Sequence, residues 1–156
     1  YNTDVNGFRT SLLGLLNPGT KYALILGTGG SSKAVSYVLR ELGICYKMVS
    51  RKESRELLNY KDLDKKCMEE HLLIVNTTPL GTFPDSNSCP DIPYQYISSS
   101  HILFDLVYNP PETVFLREGR KRGAITKNGL EMLYLQAEKS WKIWNNPEQF
   151  PTVMNR

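Results

Sequence analysis

Between Tyr22 and Ala34 the chain reads YALILGTGGSSKA, and this stretch limits the possible folds more than any other. Tyr22-Ala23-Leu24-Ile25-Leu26 is an apolar run of strand length, as expected of a parallel strand buried on both faces. It ends in Gly27-Thr28-Gly29-Gly30, where missing Cβ atoms permit a tight turn and let a ligand's phosphates approach backbone N–H groups. From Ser31 to Leu42, the residues Ala34, Val35, Val38, Leu39 and Leu42 share one face at helical spacing. The turn therefore feeds a helix whose N-terminus offers N–H groups and a positive dipole end to an anion.

Against the dinucleotide-binding pattern G-x-G-x-x-G, Gly27 and Gly29 match and Ser32 takes the third position. The next apolar stretch, Tyr46-Lys47-Met48-Val49, reads as a second strand, and it ends at Ser50-Arg51-Lys52 with Arg55 just beyond. In a dinucleotide-binding unit that strand end faces the adenine ribose, where NAD users carry an acid. Ser50 followed by cations is instead the chemistry of a 2′-phosphate pocket, since a guanidinium can pair with phosphate through two charge-assisted bonds. The pattern points to NADP over NAD. The alternative for Arg51 and Arg55 is a solvated charged loop.

With 156 residues, 40% of them hydrophobic, the chain is long enough for one sizeable core and is not composed like a disordered segment. A net charge of +3 is too small to imply nucleic acid, and the basic run from Arg117 to Arg122 reads as a solvated helix end. Cys45, Cys67 and Cys89 are odd in number and lack a CxxC, so neither a disulfide framework nor a zinc site is expected, and no other metal site is proposed. A reducing cytoplasm is expected, with no membrane span and no signal peptide. The chain opens at Tyr1, which suggests a piece of something longer.

Taken in order, Asn2-Thr3-Asp4 precedes a helical pattern of Val5, Phe8, Leu12, Leu15 and Leu16, and Asp4 suits the N-cap. Asn17-Pro18-Gly19 should stop that helix. Ser54 to Tyr60 reads as a short helix running into a brief edge strand, and Asp62 as the cap of a helix ending near His71. Leu72-Leu73-Ile74-Val75 is a further strand. It opens into Asn76-Thr77-Thr78-Pro79-Leu80-Gly81, which puts hydroxyls, an amide and a glycine where open α/β sheets bind ligands. Phe83 to Ser100 reads as an irregular surface loop with little function, and His101 as a lone histidine without ligand duty. The strand Ile102 to Tyr108 contains Asp105, an acid that needs a partner if buried. Glu112 and Thr113 should open a helix. A short strand from Gly123 to Thr126 leads through Asn128-Gly129 into a last helix, Leu130 to Trp144, with Met132, Leu133, Leu135, Gln136, Ala137, Trp141 and Trp144 in its pattern. Strands alternating with helices imply an α/β fold: a doubly wound parallel sheet with helices on both faces and the Tyr22 strand central. No GxSxG, HExxH or Walker motif is present.

These motifs together resemble the cofactor-binding half of the shikimate dehydrogenases, a Rossmann-like fold. Asn2-Thr3-Asp4 with Gly7-Phe8 resembles the family's NTD-x-x-GF hinge, and Gly27-Thr28-Gly29-Gly30 with Ala34 its glycine loop. Ser50-Arg51-Lys52 stands where the family has Asn-Arg-Thr. Asn76-Thr77-Thr78-Pro79-Leu80-Gly81 is similar to its N-x-T-P-x-G-M loop, with Thr82 in place of the methionine. Asp105-x-x-Tyr108-x-Pro110-x-x-Thr113 and Asn128-Gly129-x-x-Met132-Leu133-x-x-Gln136-Ala137 complete the set.

The resemblance implies reduction of 3-dehydroshikimate to shikimate with NADPH, in chorismate and aromatic amino acid biosynthesis. It implies a hinge helix over 1–20, an NADP-binding domain over 21–145 and a tail over 146–156. It makes Asp4 the catalytic partner of a lysine in an N-terminal substrate domain that this chain lacks, and turns Asp4, Tyr108 and Gln136 toward the substrate. Cofactor contacts are implied for Gly27, Thr28, Gly29, Gly30, Ser31, Ser50, Arg51, Lys52, Arg55, Asn76, Thr77, Thr78, Pro79, Leu106, Gly129 and Met132. An NAD-dependent quinate or shikimate dehydrogenase and a non-catalytic NADP-binding module are the alternatives. The chain alone is expected to bind NADP(H) without turnover.

Overall fold

A six-stranded, wholly parallel sheet runs through residues 3–146, the part of the chain that the computed structural model describes. Its strands are β1 (Tyr22–Leu26), β2 (Cys45–Ser50), β3 (Leu58–Asn59), β4 (Leu73–Asn76), β5 (Ile102–Asp105) and β6 (Ile125–Lys127), in the order β3-β2-β1-β4-β5-β6. The helices are α1 (Thr3–Leu13), α2 (Gly30–Glu41), α3 (Lys65–Glu70), α4 (Val114–Lys121) and α5 (Leu130–Asn145).

The pleat divides each apolar run between two layers. Ala23, Ile25, Leu73, Val75 and Phe104 face one cluster with Phe8 and Leu12 of α1, Val35 and Leu39 of α2, and Met132 of α5. Leu24, Leu26, Ile74 and Leu103 face the other, with Met68 of α3 and Phe115 and Leu116 of α4. Covering both faces is what makes the central strands read as unbroken apolar runs. The rings of Phe8 and Phe104 meet edge to face at 5.0 Å, so α1 packs into the same core as the sheet. Phe104→Ala would cost about 3–5 kcal/mol.

Several local expectations change. Asp4 lies in the first turn of α1, which starts at Thr3, and its carboxylate is turned to α5. Residues 51–57 form no helix; they are mostly exposed and offer no apolar face to bury. The cap of α3 is Asp64, accepting from Cys67 N at 2.8 Å, whereas Asp62 closes a capping box with Asn59 around the 3₁₀ turn Tyr60–Asp62. Leu63, buried between those acids, breaks the helical phase. β5 stops at Asp105 because Val107 N–H turns back to the Asp105 carboxylate at 3.0 Å. Thr113 caps α4, and Glu112 precedes it. Trp141 and Trp144, placed on the apolar pattern of the last helix, are 66% and 86% exposed, because α5 leaves the core after its first turns. His101 is buried, bonded to Met68 O at 2.7 Å and Ser98 N at 3.0 Å. Tyr1, Asn2 and positions 147–156 of the expected tail lie outside the described residues. No helix among the described residues is long and apolar enough to cross a membrane.

Candidate functional site

From β1 the chain winds outward to β2 and β3 on one side and to β4, β5 and β6 on the other. Such a reversal opens a crevice beyond the carboxyl ends of the two central strands. There a cleft of about 830 Å³ is lined by Gly27, Thr28, residues 49–53, 59–61 and 78–80, Cys89 and Asp91.

The glycines of the first turn serve different needs. Gly27 has φ +104°, and a Cβ there would stand 2.7 Å from Thr77 Oγ1, so the fold itself requires glycine. Gly29 and Gly30 face open space: among the described residues, no atom beyond the chain neighbours and the backbone of α2 lies within 4 Å of a Cβ built on either. α2 starts at Gly30 with no side-chain cap and no acid in its first turn. Uncapped N–H groups beside vacant glycine positions fit the phosphates of a dinucleotide. Ser31 lies in that first turn, and Ser32 folds back, its hydroxyl donating to Gly29 O at 2.5 Å.

At the end of β2, Ser50 Oγ accepts from Lys52 N at 3.1 Å, and Asn59 Nδ2 donates to Arg51 O at 3.1 Å. The Arg51 backbone is thus pinned from both sides. Arg51, Lys52 and Lys61 bring cations to the cleft, and Glu53 and Asp91 bring acids. Burial pushes the Tyr60 phenol up, and the nearby Arg51 guanidinium offsets part of that. A planar donor fork beside two lysines suits a phosphate on a nucleotide ribose. Arg55 lies outside the cleft lining. Asn59, Tyr60, Lys61, Cys89 and Asp91 were not expected here. β3 pairs Asn59 with Ser50, so residues leaving β3 must share the edge of Arg51. The loop expected to do little supplies Cys89 and Asp91, and buries Ile92 and Ile97.

The third wall follows β4. Asn76 is fully buried; its Nδ2 donates to Asp105 Oδ1 at 3.0 Å, and its Oδ1 accepts from Thr78 N at 3.0 Å and Thr78 Oγ1 at 2.7 Å. Thr77 Oγ1 donates to Leu26 O at 2.6 Å. Asn76 and Thr77 therefore hold the wall from behind, and Thr78 and Pro79 form it. Asp105 also accepts from Thr113 Oγ1 at 2.6 Å. Burial raises its carboxyl to about 6, despite the lowering effect of its hydrogen bonds.

The remaining candidates lie apart from the cleft lining. Gln136 Nε2 donates to Asp4 Oδ1, joining α5 to α1, and Gly7 lets the helices approach: a Cβ there would be 2.9 Å from Met132 O. Met132 is buried beneath them. Gly129 opens α5 with the Leu106 carbonyl directly against it, a close approach that no Cβ would allow. Tyr108 is half-exposed past the end of β5. No group of acids, histidines and cysteines able to hold a metal occurs among the described residues.

No family model matches the chain. A shikimate dehydrogenase (NADP(+)) of Methanococcus maripaludis is 40% identical over 173 residues, spanning 100% of this chain and 61% of the relative. Among solved structures, shikimate 5-dehydrogenase from Thermus thermophilus in complex with NADP(H) and shikimate is 31% identical, with a TM-score of 0.78, over 93% of this chain and 57% of that one. Quinate dehydrogenase from Corynebacterium glutamicum in complex with NAD has a TM-score of 0.81 at 24% identity, over 94% of this chain and 57% of that one, a likeness of fold. The chain spans about three-fifths of the length of the curated relatives it matches.

Proposed function

Since the chain belongs to the shikimate dehydrogenase family, we propose that it is the cofactor-binding part of an NADP-dependent oxidoreductase that interconverts 3-dehydroshikimate and shikimate. The observation that carries this reading is the cleft itself, lined by Gly27 and Thr28 of the glycine turn on one side and by Arg51, Lys52 and Lys61 on the other, with open space at Gly29 and Gly30 just beyond Thr28. In this reading residues 21–145 hold the nucleotide, and 1–20 lead to it from the rest of the protein.

Bound NADPH supplies the hydride delivered to the ketone carbon. The turn from Gly27 to Gly30 and the first turn of α2, with Ser31, take the pyrophosphate on backbone N–H groups. Ser50, Arg51 and Lys52 hold the 2′-phosphate and select NADP, and Arg55, outside the cleft lining, adds positive charge just beyond them in the chain. Thr78 and Pro79, backed by Asn76 and Thr77, wall the nicotinamide side, and Leu106, Gly129 and Met132 bound its far edge. Asp4 shares the proton needed at the carbonyl oxygen with a lysine from the part of the family's length this chain does not span. Gln136 holds the Asp4 carboxylate and, with Tyr108, reaches the substrate's hydroxyls. These role assignments follow the family motifs that the positions match, and the Asp4–Gln136 hydrogen bond supports pairing the first of them.

The test is calorimetric titration of NADP and NAD into the chain, followed by an NADPH absorbance assay with shikimate. The expected result is NADP binding in preference to NAD, with no shikimate oxidation until the remaining part of the protein is supplied. Preference for NAD would favour an NAD-dependent dehydrogenase, and turnover by this chain alone would overturn the division of roles.

A further inference from the structure

Asp105 is the residue the proposed chemistry leaves unused, and it is the least expected one in the core. It is fully buried at the carboxyl end of β5, and no ion pair with it occurs among the described residues. A buried carboxylate without a counter-ion is unfavourable for a fold, and an apolar side chain of similar volume would serve packing better. Its partners therefore matter. Val107 N and Thr113 Oγ1 fix the carboxylate in place, leaving Oδ1 aimed at the Asn76 amide.

An asparagine amide is symmetric in shape and has two orientations, so something has to choose between them. With Nδ2 toward Asp105, the amide oxygen faces Thr78 and accepts from both its backbone N–H and its hydroxyl. Turned over, the amide would set oxygen against carboxylate oxygen and N–H against N–H. The carboxylate thus selects the orientation that bends the chain at Thr78. From there the order passes on, because Thr78 Oγ1 accepts from Leu80 N at 3.3 Å, and Thr78, Pro79 and Leu80 line the cleft.

We infer that Asp105 is a positioning residue of the nucleotide site: it orients the Asn76 amide, and through Asn76 it holds the Thr78–Leu80 wall in the shape that receives the cofactor. The inference rests on the nucleotide reading of the cleft. It assigns Asp105 no contact with cofactor or substrate.

The first arm of the test is an amide-resonance titration of the unmodified chain from mildly acidic to neutral pH. Among the described residues the Tyr94 phenol feels the Asp105 charge, and burial keeps that phenol neutral throughout the range. His101 sits at the opposite end of β5, bonded to Met68 and Ser98. The Thr78 and Val107 amide protons should move with one shared midpoint; a Val107 transition with Thr78 unmoved would overturn the inference. The second arm is calorimetry with NADP. Asp105→Ala should bind about tenfold more weakly or worse, while Asp105→Asn, which keeps an acceptor oxygen for Asn76, should stay within about threefold of the unmodified chain. Equal affinity in the alanine variant, or an asparagine variant as weak as alanine, would overturn it. An unmodified chain that binds no NADP would instead overturn the nucleotide reading. If Asp105→Ala fails to fold, the titration of the unmodified chain decides.

Discussion

The Gln136 amide donates a hydrogen bond to the Asp4 carboxylate, joining the first turn of α1 to the middle of α5 across 132 positions of sequence. The contact depends on how closely the two helices lie, and that spacing is set at Gly7, beside Met132 O and Gln136 Cγ.

Gly7→Ala should therefore push the helices apart. A new methyl 2.9 Å from a backbone oxygen cannot be absorbed by a side-chain shift alone. The expected loss is about 1–3 kcal/mol of unfolding free energy in urea. Unchanged stability would mean that α5 moves without cost.

The two ends of the glycine turn should respond oppositely. Gly27→Ala meets both a positive φ and Thr77, so it should destabilise by about 1–3 kcal/mol. Gly29 has φ −76° and open space, so Gly29→Val should keep stability within about 1 kcal/mol while abolishing NADP binding. Thermal melts with calorimetry on each variant check this. Normal NADP binding by Gly29→Val would remove the phosphates from that turn.

Arg51→Ala should cost NADP about 1.5–3 kcal/mol, roughly a tenfold to hundredfold loss, with little change for NAD. Lys61→Ala should act in the same direction but more weakly, as a single point charge. Parallel titrations with both nucleotides give the comparison. A loss shared equally by NAD would place Arg51 at another part of the ligand.

Asp105 gives the protein a pH dependence of definite sign. Its folded carboxyl titrates at about 6 against an ordinary 3.8. An acid held above its unfolded value contributes stability that is complete below that unfolded value and is lost as pH rises through about 6. The difference of roughly two units corresponds to about 3 kcal/mol. Unfolding free energies of the native chain and Asp105→Asn, compared from acidic to neutral pH, should show the native chain losing ground as pH rises. Parallel curves would show that Asp105 titrates normally.

The part of this site most legible in the sequence is the part built locally. The run Tyr22–Leu26, its glycines and the apolar face of α2 state strand, turn and helix in consecutive residues, and β4 and β5 announce themselves by being buried on both faces. What could not be read depends on distant pairing. β3 is a two-residue strand, too short to carry a pattern, yet its register with β2 brings Asn59, Tyr60 and Lys61 into the cleft. The loop holding Cys89 and Asp91 looks polar locally, while Ile92 and Ile97 anchor it in the core. Asp62 and Asp64 are equally good caps on local grounds, and the burial of Leu63 decides between them. That Asp105 needs a partner follows from its place in an apolar run, but its partners Asn76 and Thr113 come from β4 and the start of α4.

The position of the indoles has a practical consequence. Both tryptophans of the chain, Trp141 and Trp144, sit on α5 in contact with solvent, away from the residues that line the cleft. Their fluorescence should resemble that of hydrated indole already in the native protein and yield readily to acrylamide. Denaturation should barely shift the emission maximum, so an optical melt followed at those wavelengths would look nearly flat while the sheet comes apart. Far-ultraviolet circular dichroism is the signal that would register the transition.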